Sequence, residues 1–154
     1  MSLVIVGVGN RDRGDDGIGP AAVDRLRANP PGGVTLATVR DDMLGLLELL
    51  DGARKAILVD AMTTGGEPGR VLRLDASSTP VPAPLEGFVS THTINLADAI
   101  ELARTLGRLP PSLIVYGVEA ADFTTGAGLS PAVDASLVEL ERLIREECAC
   151  TKPR

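Results

Sequence analysis

The sequence predicts an α/β fold in which helices cover a mostly parallel, mixed sheet of about five strands. Short apolar runs alternate with amphipathic stretches along the 154 residues, which is typical of strands and helices that follow one another in such a fold. The chain has one Tyr, two Phe and no Trp, so its core must consist of Val, Leu, Ile and Ala. That composition favours β-α-β layers, and the length predicts a single domain over residues 1–154.

Apolar runs bounded by turn residues predict the strands. The fourth run alternates between apolar and charged residues, so it is expected to be a half-exposed or edge strand. A proline-rich stretch over residues 76–87 is expected to be a loop. The five predicted strands cover residues 3–8, 34–39, 56–61, 70–75 and 113–118.

Helical periodicity and capping signals predict the helices. In the first of them, Ile18, Ala22 and Leu26 fall on one face, which is expected to be buried. Ser130 followed by Pro131 is a strong start signal, because serine is a favoured N-cap and proline a favoured first helical residue. The four predicted helices cover residues 18–27, 44–50, 95–106 and 131–147.

Charge and hydropathy exclude several classes of protein. The net charge of −6 argues against a nucleic-acid partner, which would need a basic face to neutralise phosphates. No apolar stretch approaches the length that spans a bilayer, and the chain begins without a signal-peptide pattern, so no membrane partner is expected. Cys148 and Cys150 cannot form a disulfide framework and are expected to be thiols in a frayed tail. These features predict a cytoplasmic protein.

A glycine-rich turn with two acidic residues follows the first strand. The sequence Gly7-Val-Gly9 after an apolar strand is how many nucleotide-binding units begin, because backbone N–H groups and a helix start attract anions there. Here Asp15 and Asp16 occupy that positive end, and Asp12 replaces the third glycine of a dinucleotide-binding motif. Two carboxylates would repel a pyrophosphate, so the turn suits a cation better than a phosphate.

Acidic residues also follow the second and third strands. Asp41 and Asp42 come after the second strand and Asp60 ends the third, while the only histidine, His92, precedes the third helix. Open α/β sheets bind ligands at the carboxyl ends of their strands. Two carboxylates with one imidazole would suit a divalent transition metal with open coordination positions.

Each of these residues also has a structural interpretation. Asp16 could cap the first helix, Asp60 could accept backbone N–H groups, and a lone histidine is more often a surface or packing residue than a ligand. The chain has no His-Glu-x-x-His motif, which disfavours an ordinary zinc protease. A serine or cysteine protease is poorly supported, because His92 is the only imidazole that could act as its base.

Taken together in order, these motifs resemble the nickel-iron hydrogenase maturation proteases. The resemblance spans nearly the whole chain. It rests on Val6-Gly-Val-Gly-Asn10, Gly14-Asp-Asp-Gly17, Leu58-Val-Asp-Ala61, Ser90-Thr-His-Thr93, Tyr116-Gly-Val-Glu119 and Gly128-Leu-Ser-Pro131.

The resemblance implies a three-layer α/β/α fold and an endopeptidase. Such enzymes remove a C-terminal extension from the hydrogenase large-subunit precursor once nickel has been inserted. Applied to the matching positions of this sequence, the resemblance implies that Asp16, Asp60 and His92 contact the metal and act in catalysis. Asp16 stands at a position where the family often has Glu. Nickel would come with the substrate; another divalent metal in the free protein is the alternative. Asn10 is expected to shape the glycine turn.

One segment departs from the family pattern. Many members carry an Asp-Gly-Gly-Thr type sequence after the second strand, where this chain has Arg40-Asp-Asp-Met43. The resemblance therefore places one of Asp41 and Asp42 near the cleavage site without deciding between them. Nickel could act only in recognition, or it could also polarise the reacting carbonyl, with a carboxylate as general base the other option.

Two other functional classes stay open at the level of the sequence. One is a binding module that recognises the nickel-loaded precursor without cutting it. The other is a small-molecule hydrolase or phosphorylase on a similar layered fold, in which the glycine turn would hold an anion.

Overall fold

In the computed structural model, which describes residues 2–78, 82 and 95–150, the predicted elements all form. Helix and strand ends differ from the predicted ones by at most two residues, because turn residues flank nearly every apolar run. A short 3₁₀ helix at Gly14–Gly17 precedes the first α-helix. The other elements are β1 (Leu3–Val8), α1 (Ile18–Ala28), β2 (Val34–Val39), α2 (Met43–Leu50), β3 (Lys55–Met62), β4 (Val71–Asp75), α3 (Leu96–Thr105), β5 (Ser112–Glu119) and α4 (Pro131–Ala149).

The five strands form one mixed sheet in the order β2-β1-β3-β5-β4. The strands β2, β1, β3 and β5 run parallel to one another, and β4 is an antiparallel edge strand on β5, as its mixed alternation predicted. Most of residues 76–87, predicted to be a loop, lie outside the described residues. No described helix has the length and apolarity to cross a bilayer.

Helices cover both faces of the sheet, so the fold has the three layers that the resemblance implied. Successive strand residues point to opposite faces. Ile5 and Ile57 pack on the face covered by α1 and α4, together with Ile18, Ala22 and Leu26 of α1. Val6 and Leu58 pack on the other face, against α2 and α3. Aliphatic side chains build both core clusters, as the composition required.

The first turn of α1 lies directly on the sheet because of two glycines. A Cβ on Gly19 would be 2.5 Å from the Val59 carbonyl oxygen and 2.6 Å from that of Val8, and one on Gly7 would be 2.3 Å from the Gly19 carbonyl oxygen. These partners are backbone atoms that cannot swing aside. The glycines therefore fix how closely the helix, and the turn before it, approach β1 and β3.

Replacing Gly19 with Ala should destabilise the protein by roughly 1–3 kcal/mol, because overpacking forces the helix away from the sheet. The measurement is a urea or thermal unfolding curve followed by circular dichroism. Gly32→Ala is the matched control, since a Cβ at Gly32 meets nothing within 4 Å. Equal unfolding midpoints for the two variants would contradict the proposed close packing.

A buried charged cluster joins the end of α4 to the sheet. The Glu147 carboxylate accepts hydrogen bonds from Lys55 Nζ at 2.8 Å, Arg73 Nε at 2.7 Å and the Tyr116 hydroxyl at 2.8 Å. Burial alone would raise the pKa of Glu147, but these donors outweigh it and lower the pKa to about 2. Lys55 is at the amino end of β3, so the cluster stabilises the helix far from the strands' carboxyl ends.

Helix α4 begins as predicted, with Ser130 at the N-cap position and Pro131 in the first turn. Among the described residues, however, no side chain caps this helix in the usual way. The Ser130 hydroxyl instead donates to the carboxylate of Asp15, at 2.8 Å. The Ser130 backbone N–H donates to the same carboxylate at 2.7 Å. The start of α4 is thus held by an acid more than a hundred residues earlier in the chain.

Candidate active site

The carboxyl ends of β1 and β3 lie side by side in the middle of the sheet. The chain leaves β1 for β2 on one side and returns past β1 to form β3 on the other, which makes this the point where the strand order reverses. Ligands of open α/β sheets bind in the crevice at such a point. Asp60 of β3 and Asp16, which follows β1, both lie there.

Asp60 is buried in the last part of β3, with 2% of its surface exposed. It alternates with Leu58 and Met62, so it belongs to the face covered by α2 and α3. Its register partner on β5 is Gly117, which contributes no side chain beside it. One carboxylate oxygen accepts the Ala61 N–H at 2.8 Å. The backbone hydrogen bond considered as the structural interpretation of Asp60 is therefore present.

Asp16 is held by the glycine turn. Its Oδ2 accepts the backbone N–H of Asn10 at 2.9 Å, and only 2% of the residue is exposed. Gly9 has a φ of 141°, and a Cβ there would be 2.0 Å from the Asp16 carbonyl oxygen, so the approach requires glycine. The Asn10 side chain accepts the Asp12 N–H at 2.9 Å, which shapes the turn as expected.

Asp16 does not cap the first helix. Gly17 occupies the N-cap position of α1, and no side chain among the described residues makes a capping hydrogen bond there. The capping interpretation of Asp16 is wrong because its carboxylate turns back to Asn10 rather than forward along the helix.

The two carboxylates interact electrostatically. The pKa of Asp60 is raised well above its ordinary value, first because burial disfavours the ionised form and second because the Asp16 charge lies nearby. The Ala61 hydrogen bond opposes this shift without cancelling it. A divalent cation between the carboxylates would offset both effects, and their oxygens suit such an ion. The pair therefore fits the metal-contacting role that the resemblance implies.

His92, the third predicted ligand, lies outside the described residues. Within residues 2–78, 82 and 95–150, no group of three His, Cys, Asp or Glu side chains is arranged to hold a metal ion. The structure thus brings together two of the three predicted residues and leaves the third as a prediction.

Asp41 and Asp42 have different environments. Asp42 is the N-cap of α2, and its Oδ1 accepts the Gly45 N–H at 2.8 Å. Asp41 stands one residue earlier; both residues are exposed. Because the capping bond accounts for Asp42, Asp41 is the better candidate for contact with a substrate.

A cavity of about 270 Å³ opens between the carboxyl ends of β1 and β2. It adjoins the carboxylate pair through Asn10, although neither Asp16 nor Asp60 lines it. Arg40 lines the cavity, and Asp41 is the next residue in the chain. The lining residues are Gly9, Asn10, Arg11, Asp12, Pro20, Thr38, Val39 and Arg40.

Sequence reasoning missed the role of Glu119. This buried residue ends β5, its Oε2 accepts the Thr64 N–H at 2.8 Å, and the Thr64 hydroxyl donates to Oε1. Burial raises its pKa, but hydrogen bonds from Thr64 and Gly66 outweigh that effect and hold the pKa below its ordinary value. Glu119 thereby fixes the loop that follows Asp60. The sequence singles out Asp60 because it is an acid near the end of an apolar strand. Glu119 has the same sequence signal at the end of β5 and could have been found in the same way.

The prediction that Cys148 lies in a frayed tail is wrong. Helix α4 continues to Ala149, and Cys148 packs half-buried against the core cluster of that face. Burial raises the pKa of its thiol, which makes it a poor nucleophile at neutral pH. Cys150 is exposed just after the helix. Neither residue is near the carboxylate pair in the fold.

Comparisons with known proteins agree with this architecture. The model of the HycI family, described as hydrogenase maturation protease, matches residues 38–147, which include Asp41, Asp42 and Asp60 but not the glycine turn. The hydrogenase expression/formation protein HupD of Bradyrhizobium diazoefficiens is 30% identical over 134 residues, covering 85% of this chain and 69% of its own length.

Two solved structures from Escherichia coli are similar over almost the full chain. The hydrogenase maturating endopeptidase HybD superposes with a TM-score of 0.79 at 27% identity, covering 96% of this chain and 94% of its own. A second endopeptidase gives a TM-score of 0.82 at 26% identity, covering 94% and 90% respectively. The chain belongs to the hydrogenase maturation protease family and is a peptidase.

Proposed function

We propose that this peptidase removes a C-terminal extension from the large-subunit precursor of a nickel-iron hydrogenase after nickel has been inserted. The names of its relatives support the substrate class. The single observation that carries the proposal is the pair of buried carboxylates, Asp16 and Asp60, at the point where the strand order reverses. A buried pair of like charges is costly unless a cation or a proton compensates it.

Recognition of the precursor would depend on its metal. The nickel centre of the substrate presents a cation with open coordination positions, and Asp16, Asp60 and His92 would contact it. A precursor without nickel would lack the charge that the two carboxylates attract, so it would bind weakly and stay uncut. Metal insertion would thereby control the timing of cleavage.

Cleavage adds water across one peptide bond and yields a new carboxylate and a free amine. The chain's own contribution would be to hold the precursor at the metal so that the bond lies at a fixed place in the crevice. Asp41, which is exposed and follows the cavity-lining Arg40 in the chain, is the residue that we expect near the bond. Asp42 would support it indirectly by capping α2.

Intact mass spectrometry of a nickel-loaded large-subunit precursor tests the proposal directly. We expect the unaltered protein to release one C-terminal fragment, and the precursor without nickel to stay whole. His92→Ala should lose this activity because it removes a proposed metal contact. Cys148→Ser and Cys150→Ser are the controls and should cleave at the normal rate, since both residues lie on α4 or just after it.

The other outcomes separate the alternatives. A nickel-loaded precursor that binds the protein in a pull-down without being cut would favour the non-cleaving binding module. Equal cleavage by His92→Ala and the two cysteine variants would remove His92 from the site. Tight binding of phosphate or a nucleotide to the unaltered protein would favour the small-molecule enzyme and contradict the charge argument for the glycine turn.

A further inference from the structure

Asp15, the residue before Asp16, is fully buried and bonded to the segment that follows β5. Its Oδ2 accepts the backbone N–H groups of Ala121 at 2.7 Å and Asp122 at 2.9 Å, and the Ser130 hydroxyl at 2.8 Å. Its Oδ1 accepts the Ser130 N–H at 2.7 Å. The Asp15 N–H donates in turn to the Asp122 carbonyl at 2.8 Å. One side chain therefore accepts four hydrogen bonds from residues more than a hundred positions away.

Further contacts join the same two segments, residues 11–16 and 121–130, which we call the clasp. The Gly126 N–H donates to the Asp12 carbonyl at 2.7 Å. Arg13 forms an isolated β-bridge with Thr125, and its guanidinium lies 5.8 Å from the centre of the Phe123 ring. These contacts connect the glycine turn to the segment that leads into α4.

The geometry of the 3₁₀ helix links Asp15 to Asp16. Successive side chains in such a helix point about 120° apart. While Asp15 points into the clasp, the Asp16 carboxylate accepts the Asn10 N–H and lies against Gly9, at the end of β1 next to β3. Any rotation of the turn that released Asp15 would also move the Asp16 carboxylate. Helix α4 is a firm anchor, because it is buried in the core through Val133, Leu137, Leu140 and Ile144.

We propose that Asp15 is a positioning residue: it fastens the turn that carries Asp16 to the start of α4 and so holds the Asp16 carboxylate beside Asp60. The inference rests on the proposed function, in which Asp16 contacts the nickel of the precursor. Asp15 itself is no candidate ligand, because both of its oxygens already accept hydrogen bonds inside the clasp. Its role is to orient the neighbouring carboxylate, as hydrogen-bonded outer groups orient metal-binding residues elsewhere.

Asp15→Asn is the variant that tests this inference. The amide NH₂ that this change introduces cannot accept a hydrogen bond. In one orientation it would face the N–H groups of Ala121 and Asp122, and in the other it would face the N–H of Ser130. In both cases a donor meets a donor, so the clasp would open. We expect kcat/KM for the nickel-loaded precursor to fall by about 10- to 100-fold, mainly through a higher KM, because Asp16 contacts the nickel by which the precursor is recognised. We also expect the Asn10 amide, which bonds to Asp16, to exchange its hydrogen faster in the free protein.

Glu147→Gln is the matched control, because it also disrupts a buried carboxylate with several donors. Lys55, its partner, is five residues before Asp60 on β3, or about 17 Å away. At a temperature where circular dichroism shows both variants folded, Glu147→Gln should keep the normal kcat/KM and normal exchange at Asn10. If Asp15→Asn does not fold, Ser130→Ala, which removes one of the four hydrogen bonds, should show a smaller change in the same direction.

The outcomes separate this inference from the proposed function. Normal kcat/KM and normal Asn10 exchange in folded Asp15→Asn would overturn the positioning role, as would an equal loss of kcat/KM in Glu147→Gln. Asp16→Asn reports on the proposed function, since normal processing by that variant would remove Asp16 from the site. The exchange rate at Asn10 would still show, in that case, whether Asp15 holds the turn.

Discussion

Asp60→Asn should abolish processing of the nickel-loaded precursor and at the same time make the protein more stable. The variant keeps the size of the side chain and an oxygen that can accept the Ala61 N–H. It removes a buried negative charge that burial and Asp16 both disfavour. We expect cleavage to fall by more than about 100-fold, because losing a direct metal contact should exceed the roughly 10- to 100-fold effect of losing an outer one.

The gain in stability should be on the order of 1 kcal/mol, or roughly 2–4 °C in the melting temperature of a domain of this size. Intact mass spectrometry measures the first effect and a thermal melt at neutral pH the second. Asp51→Asn is the control, an identical change at an exposed residue after α2, and should alter neither quantity. Normal cleavage by Asp60→Asn would exclude this carboxylate from the site. A lower melting temperature would contradict the proposed repulsion.

Local sequence patterns were sufficient to predict the elements and their order in the chain. The run that became β1 is apolar, and so is the run that became β3 apart from Lys55 and Asp60, as expected of strands buried on both faces; turn residues end each of them. The alternation in β4 predicted its edge position. The same reasoning found Asp60, because an acid inside a buried strand needs compensation. Each of these signals lies within a few neighbouring residues.

Contacts between distant parts of the chain could not be predicted in this way. Asp15 and Ser130 are 115 positions apart, and nothing in either local sequence indicates that they meet. Serine before proline predicted an ordinary cap, whereas the fold gave the hydroxyl a carboxylate partner from the glycine turn. Asp15 and Asp16 look alike in the sequence, yet only the three-dimensional structure shows that the first accepts hydrogen bonds within the clasp and the second accepts the Asn10 N–H.

The cluster around Glu147 is a second case in which the fold assigned a role that the sequence did not show. Lys55, Arg73 and Tyr116 come from three different strands, and each donates to the one carboxylate. Glu147→Gln should destabilise the protein by about 3–5 kcal/mol, because it leaves the Lys55 ammonium buried without its charged partner. Urea unfolding at neutral pH measures this loss.

The dependence of stability on pH gives an independent check on the same residue. Its folded pKa of about 2 is below the value of 4.5 for a free glutamate, so its contribution to stability is present above pH 4.5. That contribution, on the order of 3 kcal/mol, should disappear as the pH falls from 4.5 toward 2. The difference in the free energy of unfolding between the unaltered protein and Glu147→Gln should therefore become smaller as the pH falls over this range. Glu139→Gln, on the exposed side of α4, should show little change at any pH. A difference that stays constant down to pH 2 would mean that the effect of Glu147 comes from packing rather than from its charge.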